Sequence, residues 1–151
     1  MTGKFFENWV VGETLETPGR TVTETDVVMF AAMTGDYNEL HTNEVLMRES
    51  KFGQRIAHGL LLLSISHGLL FRTGFLENTI LAFLGIGSWT FHHPVFIGDT
   101  VRVRFRVEDK RRSKSKPDRG IVNLALEVLN QGGTVVQSGT KTLLVRCEAQ
   151  G

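Results

Sequence analysis

One segment in the middle of the chain is apolar on nearly every side. Residues 60–71 read LLLLSISHGLLF. A helix with this pattern lacks the polar face of a surface helix, so it has to be buried on most sides. The longer run 56–71 contains two histidines, two serines and two glycines, and it falls short of the roughly 18 apolar residues that indicate a membrane span. We therefore predict one buried central helix that the rest of the chain surrounds.

The second half of the chain has the pattern of antiparallel strands. Residues 101–107 (VRVRFRV) alternate strictly between apolar and polar side chains, which predicts a strand with one solvated face. Residues 81–97, 121–130 and 134–147 predict further strands. The QGGT segment between the last two is typical of a hairpin turn, and DKRRSKSKPDRG predicts a longer polar turn.

The first half adds shorter elements before the central helix. Residues 5–16 predict a leading strand and turn, and residues 42–49 predict a second short helix. Between them, Thr23 and Asp26 form a capping-box pattern at the start of a helix that Gly35 would end. Taken together, the order predicts an α+β fold with a single domain over residues 1–151, in which a curved antiparallel sheet wraps around one long helix.

Composition and charge exclude several classes of function. A net charge of +1 gives no indication of nucleic acid or an anionic membrane as a partner. Cys147 is the only cysteine, which excludes an internal disulfide and a cysteine-rich metal site and fits a reducing, cytoplasmic compartment. The N-terminus lacks the apolar core of a signal peptide. The basic run 110–116 favours a solvated hairpin tip over contact with the phosphates of a nucleotide-tailed substrate.

The stretch TGDYNELH, residues 34–41, carries a carboxylate and an imidazole five positions apart at Asp36 and His41. Spacing alone leaves two interpretations open. Asp36 could simply form a turn beside a partly buried histidine. Alternatively, a buried carboxylate and a neighbouring imidazole could hold a water molecule and transfer its protons. No further histidine, cysteine or aspartate completes an obvious metal set, so we expect no metal.

Three other groups of polar residues lie in or near apolar segments. His58 and Gly59 precede the central helix, where free amides could face a negative oxygen, or where His58 could be bonded only locally. Ser64 is expected to bond back to a helix carbonyl, whereas Ser66 or His67 could line a pocket. His92 and His93 are adjacent in a predicted strand and therefore point to opposite faces, which favours a structural role.

Three motifs in the same order resemble the MaoC-like dehydratase family, which includes the (R)-specific enoyl-CoA hydratases. They are FAAMTGDYNELH at 30–41, RIAHGLL at 55–61 and FHHPVFIGDTV at 91–101, and the resemblance covers nearly the whole chain. It implies the hot-dog fold, at least a homodimer, and a CoA thioester as substrate with no separate cofactor. It also implies reversible syn hydration of a trans-2-enoyl-CoA to a (3R)-hydroxyacyl-CoA.

The resemblance assigns roles to particular residues. Asp36 and His41 would form the catalytic dyad, and the Gly59 amide would polarise the thioester carbonyl, with His58, Ser66 and His67 as further oxyanion or substrate contacts. A thioesterase, an acyl-carrier-protein dehydratase and a non-catalytic acyl-CoA-binding protein remain alternatives on the same fold.

This chain departs from the family at three positions. Glu39 replaces the usual proline. If the Glu39 side chain points inward, its carboxylate would face that of Asp36. Met47 replaces a small residue and could narrow the acyl pocket, and His67 aligns with a serine that supports the dyad in some members. Arg48, Arg55 and Arg72 are candidates to receive a second carboxylate on the acyl group.

Overall fold

The computed structural model describes residues 3–149, and its longest helix packs against one antiparallel sheet. The strands are β1 (Thr14–Glu16), β2 (Arg20–Thr21), β3 (Ile80–Phe91), β4 (Thr100–Arg112), β5 (Arg119–Leu129) and β6 (Val135–Arg146). The helices are α1 (Glu24–Thr34), α2 (Glu39–Thr42), α3 (Glu44–Arg48) and α4 (Gly59–Phe71), with a one-turn 3₁₀ helix at Phe6–Asn8.

The strands lie in the order β1–β4–β5–β6–β3, and β2 pairs with the start of β4. All of these pairs are antiparallel. The β3–β6 ladder contains three register shifts, which bend and twist a strand pair locally. Within residues 3–149, β3 pairs only with β6. The outer edge of β3 therefore presents backbone groups without a strand partner.

The core lies between α4 and the concave face of the sheet. Alternating positions of β4 and β5 point inward and are almost fully buried, as the period of two requires. Helix α4 packs on them with Leu61, Leu62, Ile65, Leu69 and Leu70. Residues 3–149 leave the opposite side of α4 uncovered. Leu60 is 58% exposed and Phe71 is 46% exposed, so the predicted burial on most sides is incomplete.

The structure corrects the predicted bounds of four elements. Residues 5–12 form the 3₁₀ helix and a turn rather than a strand, since the Asn8 side chain accepts from the Phe5 amide at 3.0 Å. The helix predicted over 42–49 is α3 at Glu44–Arg48, and a separate short helix, α2 at Glu39–Thr42, comes before it. Strand β3 ends at Phe91. Strand β4 continues through Arg112, so the polar turn covers only residues 113–118.

In the part of the chain that the structure describes, no helix is both long enough and apolar enough to cross a membrane.

Candidate active site

Helix α1 delivers the TGDYNELH loop to the site. The Thr23 hydroxyl accepts from the Asp26 amide at 3.2 Å and the Asp26 carboxylate accepts from the Thr23 amide at 2.9 Å, which confirms the predicted capping box. Gly35 ends the helix in the left-handed conformation with φ of 78°. A residue with a side chain is disfavoured there. The helix therefore stops one residue before Asp36.

Local hydrogen bonds then turn the loop back on itself. The Asp36 carboxylate accepts from the Asn38 amide at 3.2 Å, and the Asn38 side chain accepts from the Leu40 amide at 3.0 Å. Asn38 is thereby the N-cap of α2, and His41 lies in the last turn of that helix. The result is a facing pair in which His41 Nε2 lies 4.0 Å from Asp36 Oδ2.

His41 is buried, and its backbone contacts fix which ring nitrogen carries the proton. Nδ1 lies 2.7 Å from the carbonyl oxygen of Ile56. Because a carbonyl can only accept, Nδ1 must donate this hydrogen bond. In the neutral ring Nε2 then carries the lone pair, and that lone pair faces Asp36.

His58 contacts both members of the Asp36–His41 pair. Its ring stacks on the His41 ring with a centroid distance of 3.7 Å and an interplanar angle of 27°. His58 Nε2 lies 3.0 Å from the Asp36 carbonyl oxygen and must donate to it. The side chain thus holds the backbone of one dyad residue and the ring of the other. It is not bonded only locally. It is not among the residues of the pocket wall, so its placement supports a role in holding the pair and gives no support to the expected substrate contact.

Asp36 is less enclosed than expected. Its side chain is 51% exposed, so the sequence-based picture of a buried carboxylate does not hold in the isolated chain. His58 is a third potential metal ligand beside Asp36 and His41, and the sequence analysis did not consider it. Potential ligand atoms of Asp36, His41 and His58 lie within 4.8 Å of one another. The two imidazoles stack face to face, however, so their in-plane lone pairs do not converge on one ion.

A pocket of about 640 Å³ opens beside His41 and reaches the N-terminus of α4. Its wall is mainly apolar, as is usual for sites that bind acyl groups or other small molecules. The lining residues include Leu40, Phe52, Ile56, Leu60, Phe91, Pro94 and Val95, together with the polar His41, His92, His93 and Gln137.

Gly59 is the first residue of α4 and lies in the pocket wall. Its N–H belongs to the first helical turn, which has no acceptor within the helix, and His58 makes no side-chain capping bond there. A Cβ atom at this position would lie 2.8 Å from the Phe91 ring. A side chain at this position would therefore have to displace the Phe91 ring, and glycine lets the backbone at the start of α4 lie close to it in the pocket wall.

Three pocket residues were missed by the sequence reasoning. His92 and His93 follow β3 rather than lying within it, and both line the pocket, so the alternation argument that made them structural does not apply. Gln137 is buried in β6 and bonds the Gly59 carbonyl at 3.0 Å. A polar residue on the inward side of an alternating strand was the available signal for Gln137.

Ser66 and His67 lie about two helical turns beyond Gly59 and do not line the pocket. The Ser66 hydroxyl donates to the Leu63 carbonyl at 2.6 Å and accepts from the buried Lys141 ammonium at 3.1 Å. His67 packs against aromatic rings near β3, and burial lowers its pKa. The predicted substrate contacts gain no support from this placement. Ser64 bonds back to the Leu60 carbonyl as expected.

The departures at Glu39 and Met47 leave the site intact. Glu39 is exposed and its carboxylate accepts from Asn43 at 3.3 Å, so it does not face Asp36. It occupies the first position of α2, where both proline and acidic residues are favoured. Met47 is buried beneath α3 and is not part of the pocket wall.

Arg55 forms ion pairs within the protein, so its guanidinium is already occupied and is not free to receive a second carboxylate on the acyl group. Its guanidinium makes a bidentate pair with Glu24 at 2.7 and 2.8 Å and bonds Glu44 at 2.9 Å. These contacts join α1 to α3 and lower the pKa of both glutamates. Arg48 also contacts Glu44, and Arg72 lies near the Gly19 carbonyl.

Comparison with known proteins gives the family. The model of the MaoC like domain matches residues 6–128. The chain belongs to the MaoC-like family. It is 38% identical over 107 residues to protein MaoC of Klebsiella aerogenes, covering 71% of this chain but only 31% of that protein. It is 33% identical over 114 residues to an (R)-specific enoyl-CoA hydratase of Aeromonas caviae, covering 76% and 79% of the two chains.

Solved structures agree with the fold. A protein from Archaeoglobus fulgidus described as a monoamine oxidase regulatory protein superposes with a TM-score of 0.87 at 36% identity, over 99% of this chain and 98% of that one. A Mycobacterium tuberculosis protein described as a double hot-dog fold gives 0.87 at 18% identity over 99% of this chain and 46% of that one. The predicted α+β hot-dog fold is confirmed.

Proposed function

We propose that this protein is a hydro-lyase that adds water reversibly to a trans-2-enoyl-CoA and forms a (3R)-hydroxyacyl-CoA. The observation that carries the proposal is the facing pair of acceptors, His41 Nε2 and Asp36 Oδ2, 4.0 Å apart beside an apolar pocket. Family membership supports the reaction class, since relatives include proteins named as hydratases and dehydratases.

The geometry suits one water molecule. A neutral His41 and an ionised Asp36 each accept a hydrogen bond, so one water can donate both of its hydrogens to the pair. Its oxygen lone pair then faces C3 of the enoyl group. As the oxygen adds to C3, one proton passes to the pair and is returned to C2 on the same face, which gives syn addition. Dehydration is the reverse sequence.

Gly59 would supply the complementary electrostatic role. Hydration builds negative charge on the thioester oxygen, and the free Gly59 amide at the start of α4 is a fixed donor for it. One such donor in a water-excluded site is worth roughly 3–4 kcal/mol of transition-state stabilisation. The thioester is the substrate, and we propose no additional cofactor. Because Cys147 is a buried free thiol, we propose the reducing cytoplasm as the compartment.

The test is a spectroscopic assay with crotonyl-CoA. Loss of the enoyl absorbance without release of free thiol is the expected result. Thiol release would indicate a thioesterase, and binding without turnover would indicate a non-catalytic acyl-CoA-binding protein. Asp36→Asn and His41→Gln should each abolish hydration, whereas Glu39→Gln in the same loop should retain it. Near-normal hydration in either dyad variant, with the fold verified by circular dichroism, contradicts the proposed mechanism.

We further propose that two copies of the chain pair along the free edge of β3. Exposed apolar side chains follow this edge and the uncovered side of α4; they are Leu60, Phe71, Phe83, Leu84, Ile86 and Phe91. An unpaired edge flanked by apolar surface favours a second strand. Sedimentation should give a dimer for the native chain and a monomer for Ile86→Asp. Val45→Asp, at an even more exposed apolar residue on α3, should stay dimeric.

A further inference from the structure

Gln137 links the sheet to the first residue of the central helix. It lies on the inward side of β6, is 2% exposed, and forms part of the pocket wall. Its Nε2 donates to the Gly59 carbonyl at 3.0 Å, and its Oε1 accepts from the Trp89 indole N–H at 3.1 Å. Both ends of the amide are therefore bonded inside the protein.

These two partners allow only one orientation of the amide. The indole nitrogen of Trp89 is only a donor, and the Gly59 carbonyl is only an acceptor. A flip of the Gln137 amide would place donor against donor and acceptor against acceptor. Since buried groups without partners are costly, the side chain is locked with its N–H directed at Gly59.

Trp89 is itself held in place. A Cβ atom at Gly139 would lie 2.5 Å from the indole ring, so glycine at this position leaves room for the ring against β6. The Lys141 ammonium, also on β6, lies 5.2 Å from the ring centroid, a cation–π distance. These contacts hold the indole, and its N–H has a defined direction toward Gln137.

We propose that Gln137 is a positioning residue that fixes the Gly59 backbone so that the N–H of this residue stays directed at the thioester oxygen. This inference rests on the proposed function, because it specifies how the oxyanion donor is held. Glycine has more backbone freedom than any other residue, and Gly59 lies at a helix start. The Gly59 carbonyl and N–H belong to adjacent peptide units that share the Gly59 Cα. Anchoring the carbonyl therefore restricts the φ and ψ rotations of Gly59 that would turn the N–H away. Misplacement of a reacting group by about 1 Å can cost on the order of a hundredfold in rate.

The experiment compares Gln137→Met and Trp89→Phe with the native protein. Methionine keeps the length of Gln137 but makes neither hydrogen bond, and phenylalanine removes only the N–H that orients it. We expect kcat for crotonyl-CoA to fall by about ten- to a hundredfold in Gln137→Met, with little change in KM. The fall should be smaller in Trp89→Phe. Thr142→Val is the matched control, since Thr142 bonds only Asn123 across the sheet at 2.7 Å.

A second readout reports carbonyl polarisation without turnover. The absorbance of a substituted cinnamoyl-CoA moves to longer wavelength when a donor polarises its thioester carbonyl. Binding to the native protein and to Thr142→Val should give this shift, and binding to Gln137→Met should give a smaller one. A folded Gln137→Met with native kcat and a full shift overturns the inference. If that variant does not fold, an unchanged kcat and shift in Trp89→Phe overturns it instead.

The two proposals fail in different ways. A native protein that shifts the cinnamoyl absorbance but hydrates no enoyl-CoA contradicts the proposed reaction and leaves the positioning role standing. A native protein that binds the probe without a shift overturns the positioning role, whatever its hydration rate.

Discussion

Lys141 offers the sharpest test of how this core is built. Its side chain is fully buried between α4 and the sheet, and its ammonium bonds Ser66 at 3.1 Å. Among residues 3–149, no carboxylate forms an ion pair with it. Burial lowers the pKa of Lys141 from 10.5 to about 8. We predict that Lys141→Met, which keeps the chain length and removes the charge, stabilises the protein at neutral pH.

The magnitude follows from the pKa. The difference between 10.5 and about 8 corresponds to roughly 3 kcal/mol against the charged form in the folded state. Below pH 8 the lysine is charged in both the folded and the unfolded chain, so the full cost applies. As pH rises from 8 to 10.5 the folded state loses its proton first and the cost disappears. The native protein should therefore gain stability relative to Lys141→Met over this interval.

The assay is urea unfolding of both proteins at several pH values between 6.5 and 10.5. At pH 6.5 the free energy of unfolding of Lys141→Met should exceed the native value by about 2–3 kcal/mol. This figure is the gain from removing the buried charge minus about 1 kcal/mol for the lost hydrogen bond and cation–π contact. At pH 10.5 this difference in unfolding free energy should vanish or change sign. Lys114→Met, at an exposed hairpin position, is the control and should show no such dependence. A gap that does not change with pH refutes the reasoning.

Three further predictions concern the site and its supports. Gly59→Ala should lower kcat because its methyl group meets the Phe91 ring, and Phe91→Ala in the same protein should restore part of the rate in the crotonyl-CoA assay. Arg55→Met should lower the thermal midpoint. Because the ion pairs hold the pKa of both partner glutamates below the ordinary 4.5, the native protein loses this stabilisation as pH falls from 4.5 through the lowered pKa values, and the deficit of the variant should shrink over that interval. Glu39→Pro should keep full hydration activity and change the free energy of unfolding by less than about 1 kcal/mol, because Asn38 already has the extended φ and ψ of −52° and 140° that precede proline; a large loss in urea unfolding would contradict this.

Local patterns in the sequence were sufficient for most of the elements. The Thr23 capping box, the Gly35 helix stop and the alternation in β4 are set by neighbouring residues, and the structure has each of them. The N-terminal strand was wrong because Asn8 bonds the backbone three residues earlier and closes a helical turn. The end of β4 was misjudged because distant contacts, such as Lys110 Nζ with the Phe6 carbonyl at 3.1 Å, order a polar segment as strand.

For the candidate site too, some features were predictable from the sequence and others were not. The sequence predicted that Asp36 and His41 lie in one short loop after a helix, and the family resemblance gave them roles; the structure adds that His41 lies in the short helix α2. The sequence could not show that His58 stacks on His41, that Glu39 points away from Asp36, or that the Ser66 hydroxyl accepts a hydrogen bond from Lys141. The His58 and Ser66 contacts join residues far apart in the chain, and the Glu39 contact with Asn43 requires the short helix α2, which the sequence did not predict.

What the sequence determined by itself is therefore the α+β order, the central apolar helix and the loop that carries the acid and the imidazole, because each depends on residues within a few positions of one another. The tertiary structure decided the tautomer of His41, the free edge of β3 and the Gln137 bond to Gly59. The tautomer and the Gln137 bond depend on residues that are distant in sequence, and the free edge depends on the order in which the strands pair, so the packing of the whole fold had to be known first.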